Sequence, residues 1–202
     1  MDKKTILSEY KKFYSDSDSV FNKLKEIHKK DPYKVGDYTN KRTQVCFVFS
    51  CPGRAELIAG MPCQGATGDN LNILLKLLNE KLPDLFTSPN KEDYDILNAT
   101  NVVHFYALDG KSEGTVKEIK DSSSKINDYL KINSNFKFAI ICGEKAKKLK
   151  DLFNGKFIET KHLGFQSINQ IEVDDDVDDR TTARLQKLAD DIVVNIKSKG
   201  LA

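Results

Sequence analysis

The sequence of 202 residues contains no tryptophan and only three histidines. Its longest apolar stretches, such as residues 138–142, are far shorter than the ~20 residues that a membrane-spanning helix needs. After Met1 no apolar stretch precedes a small-residue cleavage site, so no secretory signal is predicted. We therefore expect a cytoplasmic protein without a membrane span.

The four cysteines, Cys46, Cys51, Cys63 and Cys142, contain no Cys-x-x-Cys pair. Their spacings match no zinc or iron–sulfur pattern. Two of them lie in predicted buried strands, and free thiols are the ordinary state of cysteines in a reducing compartment. We expect no metal and no cofactor.

The formal net charge of +2 is unevenly distributed along the chain. Six of the eight residues from Glu172 to Asp179 are acidic, and removing these six negative charges from the total leaves +8. This run lacks the glycine and the terminal glutamate of a calcium loop, so we interpret it as a solvated loop. Of the 32 basic residues only four are arginines, so the chain can neutralise phosphates but has few guanidinium groups for reading guanine edges.

Short segments of buried-strand character alternate with amphipathic helices along the chain. The predicted strands cover residues 45–49, 101–105, 136–142 and 157–160, and the helices that accompany them begin at Asp69, Gly114 and Arg180. This alternation predicts an α/β fold, a three-layer α/β/α sandwich with a central, mostly parallel four-stranded sheet. Residues 1–40 are predicted to form a helical segment packed on this domain, which covers residues 41–202.

Ligands of such sheets bind beyond the carboxyl ends of the strands. That rule selects the long loop from Ser50 to Gly68, the segment around Asn101–His104 and the loop that begins at His162. The first loop is neither a P-loop nor a dinucleotide turn. Its residues alone are equally compatible with a structured turn and with an anion site at the start of the helix at Asp69.

Four motifs in this order resemble the uracil-DNA glycosylase superfamily, most closely its thermostable-type bacterial and archaeal branch. The family's Gly-Glu-Ala-Pro-Gly-x-x-Glu and Gly-x-Pro-Phe-x-Gly-x-x-Gly-x-Leu-Leu have counterparts in residues 49–56 and 60–71. Its Thr-Asn-Val-Val strand appears at residues 100–103, and its strand that ends in glycine at 138–143. Its His-Pro-Ser motif has a counterpart in residues 162–164.

The resemblance implies a monofunctional enzyme that hydrolyses the N-glycosidic bond of uracil, or of a related damaged base, in DNA. Breaking that bond places negative charge on the departing base, which His162 would stabilise. The side-chain amide of Asn101 would distinguish uracil from cytosine, and the base would have to leave the stack. The implied partner is DNA, and we expect a monomer.

This sequence departs from the family at several positions. Ser50 and Cys51 replace the residues that position water before Pro52, so no carboxylate is available there. Cys63 replaces the phenylalanine that stacks on uracil, and base–aromatic stacking is worth about 1–3 kcal/mol. The cysteines that bind the family's iron–sulfur cluster have no counterpart.

Each expected role is assigned to specific residues. The expected catalytic residues are His162, Ser50 and Glu56; the expected base contacts are Asn101, Cys51, Pro52, Gly53 and Cys63; and the expected DNA contacts are Gly65, Thr67, Gly68, Leu163, Gly164 and Phe165. Of these, Leu163 or Phe165 is expected to wedge into the duplex. Glu56 is equally compatible with a structural role that ties the loop to backbone N–H groups.

Two other functions remain open from the sequence. The missing carboxylate and the missing stacking phenylalanine favour a non-catalytic module that binds nucleic acid or bases. A weaker alternative is a glycosidase that acts on free nucleosides or nucleotides.

Overall fold

A computed structural model of the chain describes residues 43–59, 61–100, 114–132, 137–174 and 176–201. The predicted N-terminal helical segment, the predicted strand at 101–105 and the candidate residue Asn101 lie outside these ranges.

The described strands form one parallel sheet, as the alternating pattern predicts. The strands are β1 (Val45–Phe49), β2 (Asp95–Asn98), β3 (Phe138–Cys142) and β4 (Phe157–Thr160). Their order across the sheet is β2-β1-β3-β4, and all three neighbouring pairs are parallel. The prediction of an α/β fold around a four-stranded sheet is therefore confirmed.

Helices surround this sheet. They are α1 (Arg54–Ala59), α2 (Gly65–Lys81), α3 (Val116–Ile132), α4 (Phe165–Asn169) and α5 (Arg180–Ser198), with 3₁₀ helices at Lys91–Asp93 and Ala146–Phe153. Over the described ranges, none of these helices combines the length and the apolar character needed to cross a bilayer.

Apolar side chains pack on both faces of the sheet, because successive residues of a strand point to opposite sides. Phe47 and Phe49 of β1 belong to a cluster that contains the leucines of α2 and the apolar stripe of α5. Cys46 and Val48 belong to a second cluster, with residues of α3 and of the 3₁₀ helix that follows β3. Helices thus cover both faces, which is why β1 and β3 are apolar without alternation.

The strand beside β1 lies earlier in the chain than the sequence pattern suggests. It is β2, in which only Ile96 and Leu97 are apolar between Asp95 and Asn98. Two apolar residues are too short a run to predict a strand. Pairing with β1 determines where this strand lies, with Asp95 opposite Cys46 and Asn98 opposite Phe49.

The start of α2 was placed too late by the sequence pattern. Asp69 was expected to cap this helix, but α2 begins at Gly65 and Asp69 is an exposed residue within it. The first turn contains two glycines and a threonine, which are weak helix formers. Close approach of the backbone accounts for the second of these glycines, since a Cβ on Gly68 would lie 2.2 Å from the carbonyl oxygen of Cys63.

Substitution of Gly68 tests this close approach. We expect Gly68→Ala to lower the free energy of unfolding by about 1–3 kcal/mol, because a methyl group has no room against the backbone of Cys63. Urea unfolding followed by circular dichroism measures the loss.

Asp69→Ala is the matched control in the same turn. As an exposed residue inside the helix it should leave the free energy of unfolding within about 0.5 kcal/mol of the original value. A loss of about 1 kcal/mol on Asp69→Ala, with none on Gly68→Ala, would show that the helix begins at Asp69 after all.

Candidate active site

The carboxyl ends of the four strands meet along one edge of the sheet, because the strands are parallel. After β1 the chain goes to β2 on one side, and it later crosses to β3 and β4 on the other. This reversal between β1 and β3 creates the crevice at which ligands of parallel sheets bind. The loops after β1, β3 and β4 all lie at this edge.

Ser50 connects the loop after β1 by hydrogen bonds to the segments that precede α3 and follow β2. Its hydroxyl oxygen accepts a hydrogen bond of 3.0 Å from the N–H of Gly114, which precedes α3. Its carbonyl oxygen accepts one of 3.1 Å from the N–H of Thr100, which follows β2. Ser50 is 2% exposed. Its structural contribution is clear, and its role in holding water stays a prediction.

Glu56 accepts hydrogen bonds from backbone N–H groups of the same loop. Its Oε2 accepts a hydrogen bond of 2.8 Å from the N–H of Gly53, next to the buried Pro52. Burial raises the pKa of Glu56, whereas hydrogen bonds from backbone N–H groups, among them those of Gln64 and Cys63, act to lower it. The carboxylate thus joins the two ends of the loop, which matches the structural alternative for this residue.

Two cysteines occupy this loop. Cys63, at the position of the stacking phenylalanine, has a left-handed backbone (φ 54°) and belongs to the buried cluster under α2. Burial raises the pKa of its thiol well above the ordinary value of 9.0, so it is a neutral thiol near pH 7. Cys51 is half-buried and forms no disulfide. Base contacts by either side chain stay predictions.

His162 follows β4 and is held from several sides. Its ring packs edge-on against Phe49, with 5.9 Å between the ring centroids. A Cβ on Gly143 would lie 3.1 Å from the Cβ of His162, and one on Gly164 would lie 2.8 Å from its Nδ1. The absence of a side chain at both positions is what lets the backbone approach the imidazole so closely.

The N–H of Gly164 donates a hydrogen bond of 2.9 Å to Nδ1 of His162. Nδ1 is therefore an acceptor, and the neutral ring carries its proton on Nε2. Burial lowers the pKa of His162 below its ordinary value of 6.5, so the ring is neutral at pH 7. Within the described part of the chain nothing bonds to Nε2, which leaves its N–H as a donor for a ligand.

Two of the predicted DNA contacts, Thr67 and Gly164, lie beside this histidine. The Oγ1 of Thr67 lies 3.7 Å from where a Cβ on Gly164 would be, so the start of α2 contacts the turn after β4. Gly65, with φ +61°, is the exposed first residue of α2. Gly68, in contrast, is buried against Cys63, so its place in the structure is a packing position.

The two wedge candidates differ sharply in exposure. Leu163 is 0% exposed and belongs to the core, so its side chain does not project toward a duplex in this structure. Phe165, at the start of α4, is 70% exposed. Phe165 is thus the candidate that remains for wedging.

Asn98 is a candidate that the sequence analysis does not identify. It is the last residue of β2, lies opposite Phe49 and is 3% exposed. Alternation along β2 puts it on the side of Ile96, the side that carries Phe49 and α2. Within the described ranges its side-chain amide makes no hydrogen bond. Leaving such a buried amide unpaired would cost about 1–3 kcal/mol, so its partner is either a ligand or a residue outside the described ranges.

Asn98, Phe49 and His162 form a row at the carboxyl edge. One strand spacing of about 4.8 Å separates Asn98 from Phe49, and Phe49 contacts the ring of His162. Asn98 and His162 are thus both neighbours of Phe49 at this edge. The visible signal in the sequence was an asparagine directly after Ile96-Leu97.

A separate cavity of about 290 Å³ lies between β4 and α5, and none of the predicted site residues lines it. Lys147 bridges Glu144 and Glu159 at its wall. Across the described ranges, no three histidine, cysteine or acidic side chains gather closely enough to hold a metal ion.

The sequence was compared with models of known protein families and with curated proteins, and it matches none of them.

The pH dependence of stability tests the buried, neutral state of His162. Unfolding returns its pKa to about 6.5, so below that pH the unfolded chain binds a proton that the folded chain does not. We expect the free energy of unfolding to fall as the pH drops from about 7 to about 5, and His162→Gln to lack this component. Urea unfolding of both proteins across this range measures the difference. Parallel profiles for the two proteins would contradict a buried, neutral imidazole.

Proposed function

We propose that this chain is a DNA glycosylase-like N-glycosidase that hydrolyses the bond between deoxyribose and uracil, or a related damaged base, in DNA. The observation that carries the proposal is the state of His162. Its neutral ring, with Nδ1 occupied by Gly164, offers one N–H donor at the edge where parallel sheets bind ligands.

The chemistry of the reaction suits such a donor. As the bond between C1′ and N1 breaks, its electron pair goes to the base, and water adds to C1′ and loses a proton. The products are the free base and an abasic site. Negative charge develops on a carbonyl oxygen of the base, and a preorganised N–H donor stabilises that charge without transferring a proton.

Recognition of the base falls to a side-chain amide at the end of the strand beside β1. The resemblance selects Asn101, which lies outside the described residues, whereas the geometry favours Asn98. The Asn98 amide is buried on the side of the sheet that carries Phe49, which packs on His162, and it makes no hydrogen bond to another described residue. An amide can donate to O4 and accept from N3–H of uracil, and cytosine reverses that pattern.

Contacts to the DNA would come from the loops around the crevice. The exposed Phe165 is placed to occupy the gap that a swung-out base leaves in the stack. The start of α2, with Gly65 and Thr67, presents backbone N–H groups toward phosphate. We propose a monomer that acts in the cytoplasm, where DNA and free thiols are found together.

A second function is favoured by a specific observation. Glu56, the nearest carboxylate of the loop, is held by backbone N–H groups, and no carboxylate precedes Pro52. A module that binds bases without cleaving them is therefore the alternative. It predicts DNA binding that weakens steeply with salt, and no turnover.

Excision assays test the proposal. Purified protein is incubated with single- and double-stranded oligonucleotides that contain one uracil, and alkali cleavage reveals abasic sites. We expect activity to fall about 10²–10³-fold in His162→Ala, because that is the usual cost of losing one preorganised donor.

The same assay decides between the two asparagines. We expect Asn98→Ala to lower kcat/KM by about a hundredfold or more and Asn101→Ala to have a smaller effect, because a site built to hydrogen-bond its substrate depends on that bond. Asn195→Ala, on the exposed side of α5, is the control. Well-folded protein that releases no base of any kind would refute the enzyme, and salt-dependent binding in that case would favour the alternative.

A further inference from the structure

A single buried side chain joins α2 to the turn after β4. Asn70 of α2 is 8% exposed, and its Nδ2 donates a hydrogen bond of 2.7 Å to the carbonyl oxygen of Leu163. The two residues are 93 positions apart in the sequence. No motif of the sequence pointed to Asn70.

The carbonyl group that accepts from Asn70 belongs to the same peptide unit whose N–H bonds to His162. The C=O of Leu163 and the N–H of Gly164 are the two ends of one planar peptide group. Asn70 donates to the oxygen of this peptide group, and the N–H of the same group, that of Gly164, donates to Nδ1 of His162 at 2.9 Å. Asn70, this peptide and the imidazole are thus a chain of two consecutive hydrogen bonds.

Such a chain fixes both the orientation and the polarity of the peptide. Rotation of the peptide plane would break both hydrogen bonds at once. Donation to the carbonyl oxygen also polarises the group and makes its N–H a stronger donor to Nδ1. The side chain of Leu163, buried in the core, holds the same segment from the other side.

We infer that Asn70 is a positioning residue, which keeps the proton of His162 on Nε2 by holding the Leu163–Gly164 peptide. The effect on catalysis depends on the proposed function, but the effect on the imidazole does not. Without the amide of Asn70, the peptide loses its anchor, and the ring exchanges between its two neutral forms.

Nitrogen NMR of the full-length chain with ¹⁵N-labelled histidine tests this inference without any substrate. The chain has three histidines, and the signals that disappear in His162→Gln are those of His162. We expect wild-type protein near pH 7 to show an unprotonated Nδ1 and a protonated Nε2. In Asn70→Leu, which keeps the branching of the side chain but has no donor, we expect averaged shifts of the two nitrogens. Asn70→Ser, too short to reach the carbonyl, serves where Asn70→Leu does not fold.

Asn79 provides a matched control on the same helix. Its Nδ2 also donates to a backbone carbonyl, that of Phe86, far from His162 in the sequence. Asn79→Leu should lower stability and leave the nitrogen shifts of His162 unchanged. If Asn70→Leu or Asn70→Ser also leaves them unchanged, Asn70 is only structural and the inference is wrong.

Kinetics add a second readout where the enzyme is active. We expect Asn70→Leu to lower kcat between about tenfold and a hundredfold with little change in KM, because misplacing a catalytic group acts on the chemical step. An inactive wild-type protein with the expected nitrogen shifts would refute the proposed enzyme and leave the positioning role intact.

Discussion

The candidate site depends on one peptide group, the unit between Leu163 and Gly164. Its N–H end determines which nitrogen of His162 accepts and which donates. Its C=O end is bound by a buried amide from α2. Because both ends are engaged in a water-poor environment, where hydrogen bonds are stronger and unpaired groups cost more, the imidazole is held in one state before any ligand arrives.

The sheet makes this arrangement possible. Parallel pairing brings the ends of β1, β3 and β4 to one edge, and the Gly143 N–H bonds to the carbonyl of Thr160 at 2.9 Å. Glycines at positions 143 and 164 then let backbone approach the ring within distances that a Cβ would forbid. Side chains at the crevice are thus positioned by strands that are themselves buried on both faces, and a rigid scaffold of this kind favours a preorganised site.

The central strands and long helices were accessible from the sequence because their signals are local. Val45–Phe49 and Phe138–Cys142 are unbroken apolar runs, and α5 has a clear apolar stripe. The position of β2 was not accessible, because it is determined by pairing with the distant strand β1. The start of α2 was not accessible, because its first turn consists of weak helix formers. Ile96 and Leu97 form a strand only beside β1, and the weak first turn of α2 is held against Cys63.

The site was partly accessible for a similar reason. His162, Gly164 and Thr67 come together as the motifs imply, since each follows a strand or begins a helix. Asn98 and Asn70 could not be found, because an asparagine near a strand end or inside a helix is ordinarily a turn or surface residue. Only burial distinguishes them: the Asn98 amide makes no hydrogen bond to another described residue, and the Asn70 amide bonds a carbonyl 93 residues away.

The absence of a carboxylate beside Pro52 affects the two halves of the proposed reaction unequally. Departure of the base gathers negative charge on the base, and that half depends on the N–H of His162, which the structure supplies. Addition of water depends on a general base, a group that takes a proton from the water, only to the degree that water attacks before the bond to the sugar has broken. When bond breaking runs ahead, the cation at C1′ captures water that needs little activation. An oriented donor at His162, with no carboxylate directly before Pro52, therefore favours a reaction in which the base departs first.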